Sequence, residues 1–557
     1  MKDNFQTIKT DILVIGAGGA GLRAAVEVKE SGHDVILLGK EVLGCAHTGM
    51  AMGGMNAAVA APATPDFHFQ ITMEGGYFIN NEKLVKAFTD EMPGRIKDLE
   101  DYGLIFDRKE DGEYYVWAGP KQKYPLNVCV GDYTGREMMQ GLVDQARKLN
   151  VKYSDEFFIS RLIKKNDTVI GAIGVNLKSG EFTVFGAKAV ILATGGAGRM
   201  YEVTTNAASN TGDGYAMAMS IGVELVDMEM IQFHPTGMAF PASVRGVLVT
   251  EKVRAHGGIL RNKDGERFMS KYYPKEMELA KRDEVSRSIY QEVSLGNGTK
   301  HNAVYLYVNH WKEGEIEDKI PDVFEQYKNT GVDIRREPME IYPSMHHVMG
   351  GIKIDEWCKS SIGGLFACGE VAGGVHGANR LGGNSIAEGQ VFGRRSAISA
   401  GKYADNLSQS QDISGTDVEG EIGRINTFLA EGEGIEPSEV EDKLKKTMWN
   451  KVGIFREGKA LAEALEEIEL LTKESHNMKT RVRGEKGRNR DLQDALETIN
   501  MLKTAKSVVT AAILRTESRG AHSRLDYPET NPGWQKNIVV TESEDKIVTK
   551  TVPVVKL

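Results

Sequence analysis

The stretch Thr10–Gly21, T-D-I-L-V-I-G-A-G-G-A-G, constrains this chain more than any other. The apolar run Ile12–Ile15 has the length of a buried strand and breaks directly into Gly16, Gly18 and Gly21, at G-x-G-x-x-G spacing. Leu22, Arg23, Ala24, Ala25 and Val26 continue as a helix. Gly16 permits the tight turn, Gly18, with Gly19 beside it, lets a pyrophosphate approach the backbone, and Gly21 lets helix pack on strand. The helix N-terminus then offers free N–H groups and a positive dipole end to the phosphates. The strand–turn–helix context, more than the glycine spacing, marks a dinucleotide-binding unit.

At 557 residues the chain exceeds one hydrophobic core, so about two to four domains are expected. The net charge of −9 gives no electrostatic footing for nucleic acid. No apolar run reaches the roughly 18–20 residues of a spanning helix, and M-K-D-N-F-Q-T-I-K-T lacks the apolar core of a signal peptide. The expected location is the cytoplasm, or the cytoplasmic face of a membrane reached through partner subunits, with no direct span. Cys45, Cys129, Cys358 and Cys368 form no C-x-x-C pair, so no iron–sulfur cluster or other metal site is expected in this chain. They read as buried or incidental thiols, Cys45 lying nearest the first cofactor loops.

The second strand, Asp34–Leu38, ends in Gly39-Lys40. An NAD-binding unit usually places Asp or Glu there for the adenine-side ribose. Gly39 cannot serve, which points to another cofactor or to a ribose held from elsewhere. His47 and Thr48 precede a small-residue loop with Gly53 and Gly54. A lone histidine is usually structural; one βαβ turn into a dinucleotide unit, with paired glycines behind it, His47 gains weight as a cofactor contact. Helical patterns cover Glu82–Tyr102 and Gly135–Leu149, with an irregular stretch, Lys109–Tyr133, between them. Val151–Ile191 alternates with turn signals and reads as a β-meander. It ends in the strand Ala189–Ala193 and the turn Thr194-Gly195-Gly196, a second approach to the same cofactor. Asp213, in N-T-G-D-G before the helix Tyr215–Ile221, reads as a cap or as a partner of a cofactor hydroxyl.

From about Asp227 to Pro343 the character changes, as in an inserted domain; the first style returns in Ser344–Gly351, Gly364–Glu370 and Val375–Ser385. Leu365–Ala367 reads as a last sheet strand that brings Glu370 near the cofactor. The L-G-G-N-S turn, through Asn384, Ser385 and Ile386, opens a helix toward the cofactor ring. Val418–Leu514 has apolar spacing near 3.6, most strongly at Leu461–Leu471, and reads as a separate bundle. The charge run Lys479–Arg490 reads as a solvated turn or, alternatively, as a docking surface for an acidic partner. Arg515, Arg519, His522 and Arg524 read as surface charge or as cations facing a reduced cofactor ring.

His234, Thr250, Arg254, Arg282, His346 and Arg380 bring cations and donors into loop-like motifs flanked by glycine. Six such residues in a dinucleotide architecture point to a polyanionic substrate, such as a small dicarboxylate, because the guanidinium fork matches a carboxylate. Glu251 among them suits a proton carrier better than an anion binder. Intrinsic acidity alone favours His234 or His346 as the acid, free Arg having a pKa above about 12.

These motifs resemble the flavoprotein subunit of the succinate dehydrogenase/fumarate reductase family over nearly the whole chain. They include G-A-G-G-A-G, H-T-x-x-A-x-G-G, A-T-G-G-A-G-R, T-N-A-x-x-N-T-G-D-G, D-M-E-M-x-Q-F-H-P-T-G, V-T-E-x-x-R, H-x-x-M-G-G, H-G-A-N-R-L-G-G-N-S and R-T-E-S-R-G-A-H-S-R. The resemblance implies an α/β fold: a Rossmann-like FAD-binding domain in two parts (1–228 and 344–404), an inserted α+β capping domain (229–343), a helical domain (405–514) and a short C-terminal domain (515–557). It implies FAD held by Gly16, Gly18, Gly19, Gly21, Lys40, His47, Thr48, Gly53, Gly54, Ala193, Thr194, Gly195, Asp213, Glu370, Asn384, Ser385 and Ile386, with His47 bonded covalently to the flavin. It implies substrate carboxylates on His234, Thr250, His346 and Arg380, and Arg282 as proton donor with Glu251 and Arg254 as its relay. Fumarate and succinate would interconvert by hydride transfer at flavin N5, the chain acting as a fumarate reductase fed by a separate iron–sulfur subunit. The succinate dehydrogenase direction stays open.

Several features depart from the family. Ala46 precedes His47 where Ser is common, and Gly49-Met50 replace the small residues usual after H-T. Lys109–Tyr133 does not resemble the family's F-G-G segment. The C-terminal part is short, as in the compact flavoprotein of archaeal fumarate reductases that take electrons from thiols. L-Aspartate oxidase is an alternative that shares most of these motifs, but such oxidases generally lack the histidine matched by His47. An assembly protein without turnover is a further alternative, against which Glu251, Arg254, Arg282 and Arg380 all stand.

Overall fold

The structure is a computed structural model that describes residues 5–120, 122–430, 432–480, 488–544 and 546–557. Strand β1 (Phe5–Ile15) starts well before the apolar run that announces it, because its first half pairs with a distant segment. Helix α1 (Gly19–Glu30) and strand β2 (Val35–Leu38) complete the glycine-turn unit. Helices α2 (Glu82–Asp101) and α3 (Thr134–Lys148) follow their apolar periodicity. Then come β3 (Lys152–Ser154), β4 (Phe157–Lys165), β5 (Thr168–Asn176) and β6 (Phe182–Leu192). The sheet order is β3-β2-β1-β6-β5-β4. Pairs β3/β2, β2/β1 and β1/β6 are parallel, whereas β4, β5 and β6 form an antiparallel meander. The meander expected over 151–191 thus loses its first strand, which docks on β2 at the far edge of the sheet. Isolated sequence alternation does not reveal which edge a short strand joins.

Helix α4 (Asp213–Ser220) precedes β7 (Ile231–Met238), β8 (Ile259–Arg261), helix α5 (Arg282–Glu292), β9 (Val304–Tyr307) and β10 (Met339–Val348). The four strands form an antiparallel sheet in the order β7-β10-β9-β8. It carries its own apolar cluster, from Met238 to Ile341 with Met52 added. Strands β7 and β10 cross into the main core, where Ile231, Phe233, Met345 and Val348 are buried. Two continuous strands therefore tie the inserted lobe to the floor of the molecule.

Strand β11 (Leu365–Ala367) adds in parallel to the free part of β6, and helix α6 (Asn384–Asp405) packs along α1. Helices α7 (Pro437–Lys451), α8 (Gly458–Ser475) and α9 (Arg490–Leu514) pack on one another, α8 burying Leu461, Ala464, Ile468 and Leu471 as its spacing predicts. Their apolar residues run on into the main core instead of closing a core of their own, and α9 lies against α4. Residues 481–487 of the charge run lie outside the described residues. Among the described residues no helix is long and apolar enough to cross a membrane.

The cationic tail is neither surface charge nor a cofactor contact. Arg515 is buried and donates to Glu229 (2.6 Å) and Glu517 (3.1 Å), Arg519 donates to Glu517 (2.7 Å), and Arg524 donates to Asp526 (2.7 Å). His522 Nδ1 faces Arg456 Nη1 at 2.8 Å, and burial followed by the charges of Arg456 and Arg515 pushes its pKa well down. None of the four lines the cleft described below. Arg519 and Arg524 are paired by carboxylates two residues away, whereas Arg515 is buried because folding brings the distant Glu229 to it, a geometry that charge counting along the chain does not reveal.

Candidate active site

One cleft, with about 1820 Å³ of empty space that opens to solvent at its mouth, runs from the C-terminal ends of β1, β2 and β6 to the base of the inserted lobe. This is where doubly wound sheets bind ligands. At Gly16 the backbone has φ +113°, and a Cβ there would sit 2.2 Å from the Ala193 carbonyl oxygen. A Cβ on Gly21 would sit 1.8 Å from the Gly16 oxygen, so Gly21 seats α1 on β1 without itself lining the cleft. No side chain caps α1 from Gly18, and the Gly19 N–H donates to Thr48 Oγ1 (3.1 Å). Thr194 Oγ1 is buried without a partner among the described residues, in the turn after β6. Backbone donors, a cradle closed to any Cβ and an orphaned hydroxyl fit a pyrophosphate and the dinucleotide that carries it.

Beyond β2, Lys40 Nζ pairs with Asp213 (2.7 Å) and Glu497 (2.7 Å) and donates to Thr211 Oγ1 (2.8 Å). Burial disfavours its charge, but the two carboxylates prevail and raise its pKa. Asp213 is not a cap, since the N-cap of α4 is Gly212; its carboxylate also accepts from Asn500 (2.9 Å). Sequence reading missed Glu41, which lines the cleft just past Gly39 and is gripped by Arg488 through two 2.9 Å bonds.

Along the middle of the cleft, His47 Nδ1 accepts the Ala207 N–H (3.3 Å). Burial lowers the pKa of His47, so its ring is neutral. Gly53 and Gly54 line the same wall, and Gly195 has φ +75° in the turn opposite. The irregular stretch Lys109–Tyr133 supplies two very short strands: Asn127–Val128 pairs with Met55–Asn56 on one side and with Val116–Trp117 on the other. Trp117 and Asn127 thereby reach the cleft, and two-residue strands leave no periodicity to read. Ser385 and Ile386 line the cleft from the first turn of α6. Asn384 does not; it accepts from Asn56 (2.7 Å) and His68 (3.0 Å) and donates to Thr72 (3.0 Å), which pins the helix start. Half-buried Glu370 accepts the Val348 N–H (3.0 Å), and desolvation raises its pKa.

At the far end His234, Thr250, Glu251, Arg282, His346 and Arg380 meet in one wall. Arg282 donates through Nε and Nη2 to the two oxygens of Glu251 (3.1 Å each) and through Nη1 to Gln232 Oε1 (3.1 Å). Arg254 lies behind, buried, and donates to Glu251 (2.9 Å) and to the Glu278 carbonyl (2.7 Å). Burial alone would raise the pKa of Glu251; Arg282 and Arg254 override it and keep the carboxylate ionised. His234 and His346 stand 5.0 Å apart, centroid to centroid. Burial, reinforced by Arg282 for His234 and by Arg380 for His346, pushes both pKa values well down, so both rings are neutral. Arg380 is 5% exposed and its Nε has no partner among the described residues. Arg282 and Arg254 thus share the ionised Glu251 carboxylate, and Arg380, which pairs with no carboxylate among the described residues, adds a third buried guanidinium, so this end of the cleft carries an excess of buried positive charge. Cys45 is exposed at the cleft, the other three thiols are buried, and no metal-binding cluster occurs among the described residues.

A glycine cradle leading into a cationic pocket roofed by an inserted lobe defines an FAD-dependent oxidoreductase. The sequence model described as "FAD binding domain" matches residues 11–386, and that of the "Fumarate reductase flavoprotein C-term" matches 441–556. One subunit of the CoM/CoB fumarate reductase of Methanothermobacter marburgensis is 46% identical over 95% of this chain and 96% of its own. Among solved structures, FrdA of E. coli quinol fumarate reductase superposes with a TM-score of 0.94 at 31% identity, covering 99% of this chain and 98% of the other. Sdh1 of Mycobacterium smegmatis superposes with a TM-score of 0.89 at 38% identity, covering 99% and 95%. The chain belongs to the fumarate reductase/succinate dehydrogenase flavoprotein family.

Proposed function

We propose that this chain is the catalytic flavoprotein subunit of a fumarate reductase, interconverting fumarate and succinate with electrons delivered by a separate iron–sulfur subunit on the cytoplasmic side. The carrying observation is the excess of buried guanidinium charge around Arg282 and Arg380 in the cleft that begins at Gly16. A dicarboxylate neutralises that charge; a neutral or cationic substrate would not. FAD, when bound along Gly16, Gly18, Gly19, Lys40, Thr48, Asp213 and the first turn of α6, supplies the hydride. His47 is the residue proposed to link to it covalently.

The protein's own part is binding, polarisation and proton delivery. Arg380, His234, His346 and Thr250 hold the carboxylates and draw charge toward the cationic wall as it develops. Neutral buried imidazoles have no acidic proton to give, which favours Arg282 over the histidines as the proton source. The proton lost from Arg282 is replaced through the ionised Glu251 carboxylate, which takes a proton from Arg254, 2.9 Å away, and passes it across 3.1 Å to Arg282 Nη2, Arg254 being reprotonated in turn from solvent.

The test is anaerobic reduction of the FAD-loaded chain, removal of excess reductant and addition of fumarate. Flavin absorbance should return promptly and succinate should accumulate. Flavin that is bound and reduced, yet is not reoxidised by fumarate, would refute the reading. Acid precipitation separates the cofactor states: flavin fluorescence should stay with wild-type protein and be lost from the His47→Ser variant.

A further inference from the structure

Glu251 holds Arg282 from one side only. On the other side a chain of buried hydrogen bonds leads away from the cleft. Arg282 Nη1 donates to Gln232 Oε1 (3.1 Å). Gln232 Nε2 donates to Asn379 Oδ1 (2.8 Å) and to the Arg380 carbonyl (2.8 Å). Asn379 Nδ2 donates to Asp283 Oδ1 (3.0 Å), while Asp283 Oδ2 accepts from Tyr77 Oη (2.9 Å) and Arg287 Nη2 (2.8 Å). Gln232, Asn379 and Asp283 are all buried, and none lines the cleft.

The chemistry of the two ends gives this chain a direction. A guanidinium only donates and an ionised carboxylate only accepts. Each amide between them has one accepting and one donating end. One orientation of the pair therefore satisfies every group; turning either amide sets oxygen against oxygen or NH2 against guanidinium. We propose that Asp283 is a positioning residue that fixes the orientation of the Asn379 amide and, through it, of Gln232. Gln232 then presents its carbonyl to Arg282 while its NH2 holds the backbone of Arg380, so one carboxylate outside the cleft sets both cations inside it. Tyr77 is built to serve this node. It and Phe78 both adopt positive φ, 54° and 58°, Arg519 donates to the Tyr77 carbonyl (3.2 Å), and Lys281 Nζ lies 3.9 Å over its ring. Burial, followed by the charge of Asp283, keeps the Tyr77 hydroxyl protonated and donating.

This inference rests on the reading of Arg282 as proton donor. Its test is a double-mutant cycle on FAD-loaded enzyme. Asp283→Asn offers an NH2 to Asn379 and turns the relay round, so kcat should fall about 10- to 100-fold, more than KM changes, with flavin content and thermal midpoint near wild type. Introduced into Gln232→Ala, where the relay is already cut, Asp283→Asn should cost no more than about twofold further. Equal losses in the two backgrounds, or no loss in the single variant, would overturn the proposal. Should Asp283→Asn not fold, Asn379→Ser cuts the same relay while leaving Tyr77 and Arg287 on Asp283, and the same non-additivity is expected. Wild-type enzyme that cannot reduce fumarate would remove the functional reading; turnover with additive losses would remove the relay alone.

Discussion

Replacing Glu251 with glutamine keeps its shape and removes its charge. Glu251 is 5% exposed and takes two bonds from Arg282 and one from Arg254. Breaking a buried charge pair costs about 3–5 kcal/mol when one partner vanishes, and an amide that keeps an accepting oxygen places Glu251→Gln near the low end, about 3 kcal/mol. Binding should move the other way. At about 8 Å and an effective dielectric near 20, a unit charge contributes roughly 2 kcal/mol. Removing the repelling carboxylate should therefore tighten succinate by up to about 30-fold. The proton relay, however, is cut, and loss of a positioned acid–base group costs about 10²–10⁴ in rate. Stopped-flow reoxidation of reduced flavin by fumarate should slow at least ~100-fold, while succinate raises the thermal midpoint of the variant more than that of wild type. A variant that reduces fumarate at the wild-type rate, or one that loses its response to succinate together with its rate, would refute the charge reasoning.

Gly382→Ala would place a Cβ 2.1 Å from Glu251 Oε2 and 2.8 Å from Arg282 Nη2. It should abolish most fumarate turnover at a stability cost of about 1–3 kcal/mol, with flavin still bound; wild-type kcat would show that the Glu251–Arg282 pair tolerates displacement. Arg515→Met leaves Glu229 buried without its cation, while Glu517 keeps Arg519, and should lower stability by about 3–5 kcal/mol, read as a fall in thermal midpoint and soluble yield. Burial pushes the pKa of His68 down to about 4, and burial with neighbouring cations pushes those of His234, His346, His347, His376 and His522 well below 6.5. The unfolded chain takes up these protons below about pH 6.5 and the folded chain resists them, so stability should fall with acid by about 1.4 kcal/mol per pH unit for each such histidine, for His68 down to about pH 4. Thermal midpoints measured between pH 7.5 and 5 should drop accordingly, and a flat profile would contradict the buried neutral imidazoles.

The parts of this protein that depend on local geometry can be read from the order of its residues. A strand, a glycine turn and a helix occupy Phe5–Glu30 because Gly16 takes the positive φ of the turn and Gly21 relieves a contact with the nearby Gly16 carbonyl. The amphipathic helices are legible because each buries one face at its own period. The candidate site residues were legible mainly through motifs, and the fold brings His234, Thr250, Glu251, Arg282, His346 and Arg380 to one wall. Other features exist only once the chain is folded. Arg254 falls behind Glu251, and Gly21 and Asn384 support the cleft from outside it. Trp117 and Asn127 enter the cleft from a stretch without periodicity. Arg515 and its neighbours become a buried ionic network because Glu229, nearly three hundred residues away, is folded against them. The Asp283–Asn379–Gln232 chain joins α5, the turn before α6 and β7, three segments with no sequence relation. Hydrogen bonds and ion pairs of this kind depend on positions in space to within a fraction of an ångström, and residue types arranged along a line carry no record of which distant donor will meet which acceptor.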